Sequence, residues 1–427
     1  MLSYNAFIFD LDGTLTDSRE GICACTEYAL KKAGRPIPDA ATLQRFLGPP
    51  LAESFMRYCG MTEQEAARAT DDYRERYNPV GWKENQVYPH IRALLAALKK
   101  CGAYLAVATG KPQQSAETIL RYFGLTPSLD AVAGPREQDL HADKGALIRR
   151  VLPENARAVM IGDRPGDIQG AQDCGIDSVA ALYGYGEKAE LLAAGPTHAA
   201  EDTAALCALL CPDMEKQKGF FVTLEGVDGC GKSTQAAALE KRLRQFGYTV
   251  RRTREPGGCP IAEEIRKIVL AKEDGGMCPE TEALLFAAAR AQHVKQVILP
   301  AVAAGEVVLC DRFVDSSLVY QGNARGLSLD WVKTINQAAL REGAPDATLY
   351  LRMSHKKALA RRLSASEPDR IEQLGDAFQA RTEAAYEALA AENPGRFLSV
   401  DAAQAPQAVT EEAFGKLFVR MLEKGAL

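Results

Sequence analysis

Gly226-Val227-Asp228-Gly229-Cys230-Gly231-Lys232-Ser233 reads G-x-x-x-x-G-K-S, and its surroundings decide what the pattern means. Before it, residues 220–224 form an apolar, strand-like run. After it, Ala238, Leu239, Leu243 and Phe246 recur at helical spacing across 234–246. Glycines at 226, 229 and 231 let the backbone turn tightly and aim its N–H groups inward at phosphate oxygens. The following helix adds its positive N-terminal dipole. In such a strand–loop–helix, Lys232 is placed to bridge the β- and γ-phosphates of a nucleotide and Ser233 to hold Mg²⁺. The whole run from Gly226 to Thr234 is the expected triphosphate site.

Outward from that loop, the 427 residues are too many for one core, and length alone suggests about three domains. Net charge is −5. Up to Lys218, 24 Lys and Arg stand against 29 Asp and Glu; beyond it the balance is 27 against 27. Neither part is basic, which argues against a nucleic-acid polymer as partner. Eleven cysteines without a C-x-x-C pair, and five dispersed histidines, suit reduced thiols in a cytoplasmic protein better than disulfides or zinc. No basic and then apolar leader opens the chain, and no apolar run is long enough to span a bilayer, so neither export nor a membrane partner is expected.

At the other end, the apolar run 6–11 leads into Asp10-Leu11-Asp12-Gly13-Thr14. Strand alternation predicts Asp10 and Asp12 on one side. Two close carboxylates repel unless a cation lies between them, and Mg²⁺ suits carboxylate oxygens together with a phosphate. Further strand ends follow. Residues 104–108 run into Thr109-Gly110-Lys111-Pro112, Lys144 opens a helical pattern over 144–152, and 159–161 lead to Gly162-Asp163-Arg164-Pro165-Gly166-Asp167. Such groups at several strand ends of one βα series predict an open, doubly wound parallel sheet.

This set resembles the haloacid-dehalogenase superfamily, whose first motif is D-x-D-G-T. The resemblance implies Asp10 as nucleophile of an aspartyl-phosphate, Asp12 as general acid and base, and Thr109 and Lys144 as phosphate-holding groups. It also implies a Mg²⁺ site drawn from Asp10, Asp12, Asp163 and Asp167. Residues from about 16 to 86 resemble the small helical cap of the phosphoglycolate-phosphatase-like and 5′-nucleotidase-like branches. Within them Thr62-Glu63-Gln64-Glu65 reads as a capping box. Phe46-Leu47-Gly48-Pro49-Pro50 reads either as a segment hung over the substrate or as a plain turn. The implied substrate is a small phosphomonoester, a nucleoside 5′-monophosphate or one like phosphoglycolate.

Residues 211–218 are polar and Pro-bearing, so the expected domains are 1–213 and 219–427 with a linker at 214–218. In the second, 248–252 read as a strand before Thr253-Arg254-Glu255-Pro256-Gly257-Gly258. Residues 279–304 read as a long helix carrying Phe286 and Arg290. Residues 307–310 read as a strand entering Asp311-Arg312-Phe313 and continuing to Gly322. With the phosphate loop, these segments closely resemble the thymidylate kinases, a second doubly wound α/β unit of the P-loop nucleoside monophosphate kinase type.

That resemblance implies MgATP as donor and dTMP as acceptor. Phe286 would stack on the base and Arg290 donate to a base carbonyl. Arg254 and Arg312 would grip the 5′-phosphate, and Tyr320 would pack on the sugar. Ser316, Ser317 and Gln321 would make polar contacts, and Asp228 would lie near Mg²⁺. The stretch 361–370, with Arg361, Arg362 and Arg370, resembles the family's lid, which delivers arginines to ATP on closing. Lys232, Arg312 and Arg370 would then neutralise charge in the transfer. The family also implies a homodimer through this half. Three residues depart from its pattern: Ala289 where Asp is usual, Cys259 in place of Thr, and Gly229 where some members carry Arg. Two alternatives stay open: that one half is a silent binding or dimerisation module, or that the kinase serves another nucleoside monophosphate.

Overall fold

The computed structural model describes residues 4–136, 143–212, 219–271, 276–363 and 375–425. It separates into two compact units, one built on the chain up to Glu215 and the other on nearly all of the chain beyond. Each is an α/β unit around a parallel sheet. The expected linker at 214–218 lies outside the described residues.

The strands of the first unit are β1 (Ala6–Phe9), β2 (Thr16–Asp17), β3 (Gln86–Val87), β4 (Tyr104–Ala108), β5 (Ala131–Ala133), β6 (Ala158–Gly162), β7 (Asp177–Ala181) and β8 (His198–Ala200). Six of them form one sheet in the order β5-β4-β1-β6-β7-β8, every pair parallel. β1 and β6 are apolar and buried at every position, as strands covered on both faces must be. Ile8, Ala106 and Met160 pack with Leu147, Ile148 and Ala171 from the helices Lys144–Val151 and Pro165–Asp173. From β1 the chain builds outward on one side through β4 and β5. It then crosses back to build β6, β7 and β8 on the other, so the crevice for a ligand opens at the carboxyl end of β1.

β2 and β3 pair antiparallel and enclose four helices, Arg19–Lys32, Ala40–Gln44, Leu51–Cys59 and Glu63–Tyr77. These have their own core, in which Cys25, Ala29, Phe46, Phe55 and Ala69 meet. The expected capping box forms: Glu65 N donates to Thr62 Oγ1 (3.3 Å) and Thr62 N to Glu65 Oε2 (2.9 Å).

The second unit has β9 (Phe220–Glu225), β10 (Val250–Arg254), β11 (Val307–Asp311), β12 (Ala347–Arg352) and β13 (Phe397–Asp401), in the order β10-β11-β9-β12-β13 and all parallel. β9 is central and wholly buried. Two expectations shift here. β10 runs two residues later than 248–252, since Val250–Arg254 pair with Val307–Asp311; as an edge strand it buries one position fully, so apolar periodicity does not mark it. The long helix of 279–304 is interrupted. Pro279–His293 passes through a π-helical turn, Val294–Ile298, into Leu299–Ala303. Pro300 has no N–H, and its ring crowds the carbonyl four residues back; a widened turn relieves both. Among the described residues no helix is long and apolar enough to cross a membrane.

Candidate active sites

In the first unit, carboxylate oxygens of Asp10, Asp163 and Asp167 lie within 4.8 Å of one another, all buried. Asp10 follows β1 directly, and its N–H donates to Ile161 O (2.8 Å). Asp163 follows β6 and accepts from Thr14 Oγ1 (3.1 Å) and Tyr185 N (2.8 Å). Burial, then the neighbouring Asp10 and Asp167, push Asp163 up to about 8. Burial also pushes Asp167 up to about 6, Asp10 adding to this and Lys144 opposing it. Lys144 Nζ lies 2.9 Å from Asp10 Oδ1, 2.6 Å from Asp167 Oδ1 and 3.0 Å from Ala108 O. Burial opposes its charge, yet the two carboxylates hold its pKa above the usual lysine range. One ammonium offsets only part of the charge of three carboxylates. The oxygen donor set, its convergence and its raised pKa values fit a divalent cation such as Mg²⁺.

Asp12 requires a correction. β1 stops at Phe9, and the N–H groups of Leu15 and Thr16 donate to Leu11 O, so Asp12 lies past the strand, in an isolated bridge with Thr16, and not one strand alternation beyond Asp10. Its Oδ2 is 2.9 Å from Lys111 Nζ, and its carboxylate stands apart from the three-carboxylate cluster expected to include it. Lys111, which the sequence did not single out as a site residue, also donates to Tyr77 OH (3.0 Å) at the end of the helix Glu63–Tyr77. Thr109 is buried at the end of β4, its Oγ1 accepting from Lys111 N (3.3 Å). The segment 46–50 is no free turn: Arg164, next to Asp163, donates to Leu47 O. Gly48 adopts φ +101, and a Cβ there would stand 3.1 Å from the Arg164 guanidinium.

In the second unit a cleft of about 560 Å³ lies beside the phosphate loop. Asp228, Gly229, Gly231, Lys232, Ser233 and Thr234 line it. Gly226 opens the loop with φ +143, where a Cβ would approach Leu351 O to 2.7 Å; Val227 and Cys230 are buried behind it. Lys232 Nζ folds over the loop and donates to Gly226 O and Val227 O, both at 3.0 Å. Ser233 Oγ donates to Asp311 Oδ2 (2.7 Å).

Arg254, Phe286, Arg312, Ser316, Tyr320 and Gln321 also line the cleft. Arg312 pairs with Asp228 and donates to Tyr320 OH (3.2 Å) and Ser316 Oγ (3.0 Å); Tyr320 OH donates to Asp228 Oδ2 (2.8 Å). Burial works against the Asp228 charge, but Arg312 and Lys232 outweigh it and hold the carboxyl below its usual range. Arg254 is exposed and meets Glu263 (3.1 Å). Arg361 reaches the cleft and donates to Ala402 O (3.0 Å). Arg370 and the side chain of Arg362 lie outside the described residues.

Phe286 is half-buried in the cleft wall. Arg290 and Ser317 line the cleft too, and they bind one another. Arg290 donates to Glu255 Oε2 (2.7 Å), Ser317 Oγ (3.0 Å), Phe313 O (3.1 Å) and Asn336. Glu255 is the carboxylate that orients Arg290, while Ala289 packs with Cys259 and Ala262. The other oxygen of Glu255 meets His293 Nδ1 (3.0 Å), whose Nε2 meets Thr253 Oγ1 (2.7 Å). Gln321 donates to a second buried carboxylate, Glu282 (3.0 Å). Glu255 lies in the run from Thr253 to Gly258; Glu282 is one of two acids in the first turn of its helix and has no further signal in the sequence. Cys259 stands at the N-cap of Pro260–Leu270 and makes no capping bond, so it does not reproduce a threonine there.

With this geometry in hand, comparison with known proteins finds two families. Residues 224–413 match the family described as thymidylate kinase, and residues 7–181 the one described as haloacid dehalogenase-like hydrolase. A thymidylate kinase of Halalkalibacterium halodurans is 44% identical over 209 residues, covering 48% of this chain and 97% of that protein. One of Syntrophotalea carbinolica is 47% identical over 189 residues, covering 43% and 88%. A solved haloacid dehalogenase-like family hydrolase from Streptococcus pneumoniae is 33% identical, covering 49% of this chain and 99% of its own, with a TM-score of 0.46.

Proposed function

We propose that this chain, which belongs to the thymidylate kinase family through its C-terminal part and to the haloacid dehalogenase-like hydrolases through its N-terminal part, works at two sites. One transfers the γ-phosphoryl group of MgATP to dTMP. The other hydrolyses a small phosphomonoester. The proposed domain limits are 1–213 and 219–427, and the family resemblance adds a cytoplasmic homodimer joined through the kinase part.

The observation that carries the kinase reading is that one cleft unites Lys232 and Ser233 of the phosphate loop with Arg312, Phe286 and Tyr320. Such a transfer asks the protein for position and charge, not for covalent chemistry. Lys232 neutralises the β- and γ-phosphates. Arg254 and Arg312 offer planar guanidinium groups to the acceptor phosphate, which Arg312 can grip bidentately. Phe286 presents a flat face to a pyrimidine. Tyr320, in the cleft wall, would pack on the sugar where a ribose carries its 2′-hydroxyl, which favours the deoxy form. The purified chain given ATP and, separately, dTMP, dCMP, UMP and dAMP is expected to make dTDP far faster than any other diphosphate. Equal turnover of dCMP or UMP would reject the acceptor.

The hydrolase reading is carried by Asp10, which stands at the mouth of the sheet in contact with Lys144 and converges with Asp163 and Asp167. Asp10 attacks the phosphorus, and the ester oxygen leaves with a proton from Asp12. Water then attacks the aspartyl-phosphate, returning its proton to Asp12 and releasing phosphate. Thr109 and Lys144 hold the transferring group. Asp10, Asp163 and Asp167 would hold Mg²⁺, which supplies charge neutralisation between phosphate and carboxylates. The substrate we favour is a nucleoside 5′-monophosphate other than dTMP, because hydrolysing dTMP would consume the kinase's acceptor. A panel of nucleotides and sugar phosphates decides this, and phosphoglycolate turning over far ahead of every nucleotide would reject it.

A further inference from the structure

Glu225 ends β9 one residue before the phosphate loop and is fully buried. A carboxylate so deep needs hydrogen-bond donors around it, and it has four. Oε1 accepts from Phe313 N (2.8 Å) and Ser316 N (3.3 Å), and Oε2 from Ser316 Oγ (2.7 Å) and Tyr386 OH (2.8 Å). Three of these donors belong to the turn that starts at Arg312. That arginine adopts φ +70, the left-handed region that side chains avoid. Such a conformation persists where the surroundings fix it. Here Arg312 N donates to Leu224 O (3.0 Å), and the residues after it are fastened to Glu225.

The guanidinium of Arg312 rests on the same hydroxyls. Its Nη1 donates to Ser316 Oγ (3.0 Å) and Tyr386 OH (3.4 Å), and both hydroxyls also bond to Glu225 Oε2. Tyr386 is buried and comes from the separate helix Asp376–Glu392. The neighbouring buried carboxylate, Asp315, is engaged elsewhere, by Arg396 (2.6 and 2.8 Å) and Thr348 (3.1 Å). Neither Glu225 nor Tyr386 is among the residues lining the cleft. We infer that Glu225, acting with Tyr386, is the positioning residue that holds Arg312 in its left-handed turn and aims its guanidinium at the acceptor phosphate. The inference rests on the reading of Arg312 as a phosphate-binding group.

Glu225→Gln, Tyr386→Phe, their double variant and Arg312→Met, each in the full chain, test it through KM and kcat for dTMP beside KM for ATP. Glu225→Gln and Tyr386→Phe should each raise the dTMP KM on the order of tenfold, the effect of losing a buried hydrogen bond, with ATP KM within about twofold. The double variant should be no worse than Glu225→Gln alone, because both act through one group. An unchanged dTMP KM, an equal rise in both KM values, or additive effects would overturn the inference. Should Glu225→Gln not fold, Tyr386→Phe keeps its ring and carries the test. If Arg312→Met leaves the dTMP KM unchanged, the fault lies in the reading of Arg312 itself.

Discussion

Gly13 stands at φ +87, and a Cβ on it would lie 2.3 Å from Asp163 Oδ2. Gly13→Ala should therefore displace a carboxylate of the hydrolase site and cost phosphatase activity while dTMP phosphorylation continues. Paired assays on one preparation check this. In the other unit, Glu255 and Arg290 form a buried pair, 3% and 2% exposed in their side chains, that His293 completes. Removing one partner leaves an uncompensated charge, so Glu255→Ala should destabilise the kinase unit by about 3 kcal/mol in denaturant unfolding. The sequence marked residues whose spacing in a loop is their signal, as in 226–233 or 10–14. It could not mark Lys111 against Asp12, or Glu255 against Arg290, because those partners are far apart in the chain and meet only through the fold.

At the scale of elements, the two sheets share one device. In each, the unit's first strand is central and later strands flank it on both sides, so the loop after that strand enters a crevice. Asp10 follows β1 and the phosphate loop follows β9 for this reason. Apolar runs made the central strands legible. The edge strand β10 and the break before Pro300 were not, since one lacks apolar alternation and the other is hidden in a continuous helical pattern. In the helical insert, Thr62 and Glu65 satisfy each other's backbone N–H groups. Thr62→Ala should cost about 1 kcal/mol in the unfolding of the hydrolase unit, read by urea titration of its transition.

For the whole molecule, two sites in two α/β units predict separable responses. Asp163 and Asp167 have pKa values raised first by burial and then by neighbouring carboxylates, Asp10 for both and Asp167 for Asp163, to about 8 and about 6. A raised carboxylate binds a proton in the folded state that the unfolded chain has lost. The contribution of these two groups to the metal-free stability of this unit should thus be fully present below about pH 4 and be lost as pH rises to about 8. A bound cation needs the deprotonated groups, so Mg²⁺ should raise the unfolding temperature more at pH 8 than at pH 5. Equal shifts at both would remove these carboxylates from the metal site. The central claim, one chain with two independent phosphoryl-transfer sites, is tested most directly by assaying both activities in Lys232→Ala and Asp10→Asn. Lys232→Ala should lose dTDP formation and keep phosphate release, and Asp10→Asn should do the reverse; either variant losing both activities, or neither, would contradict it.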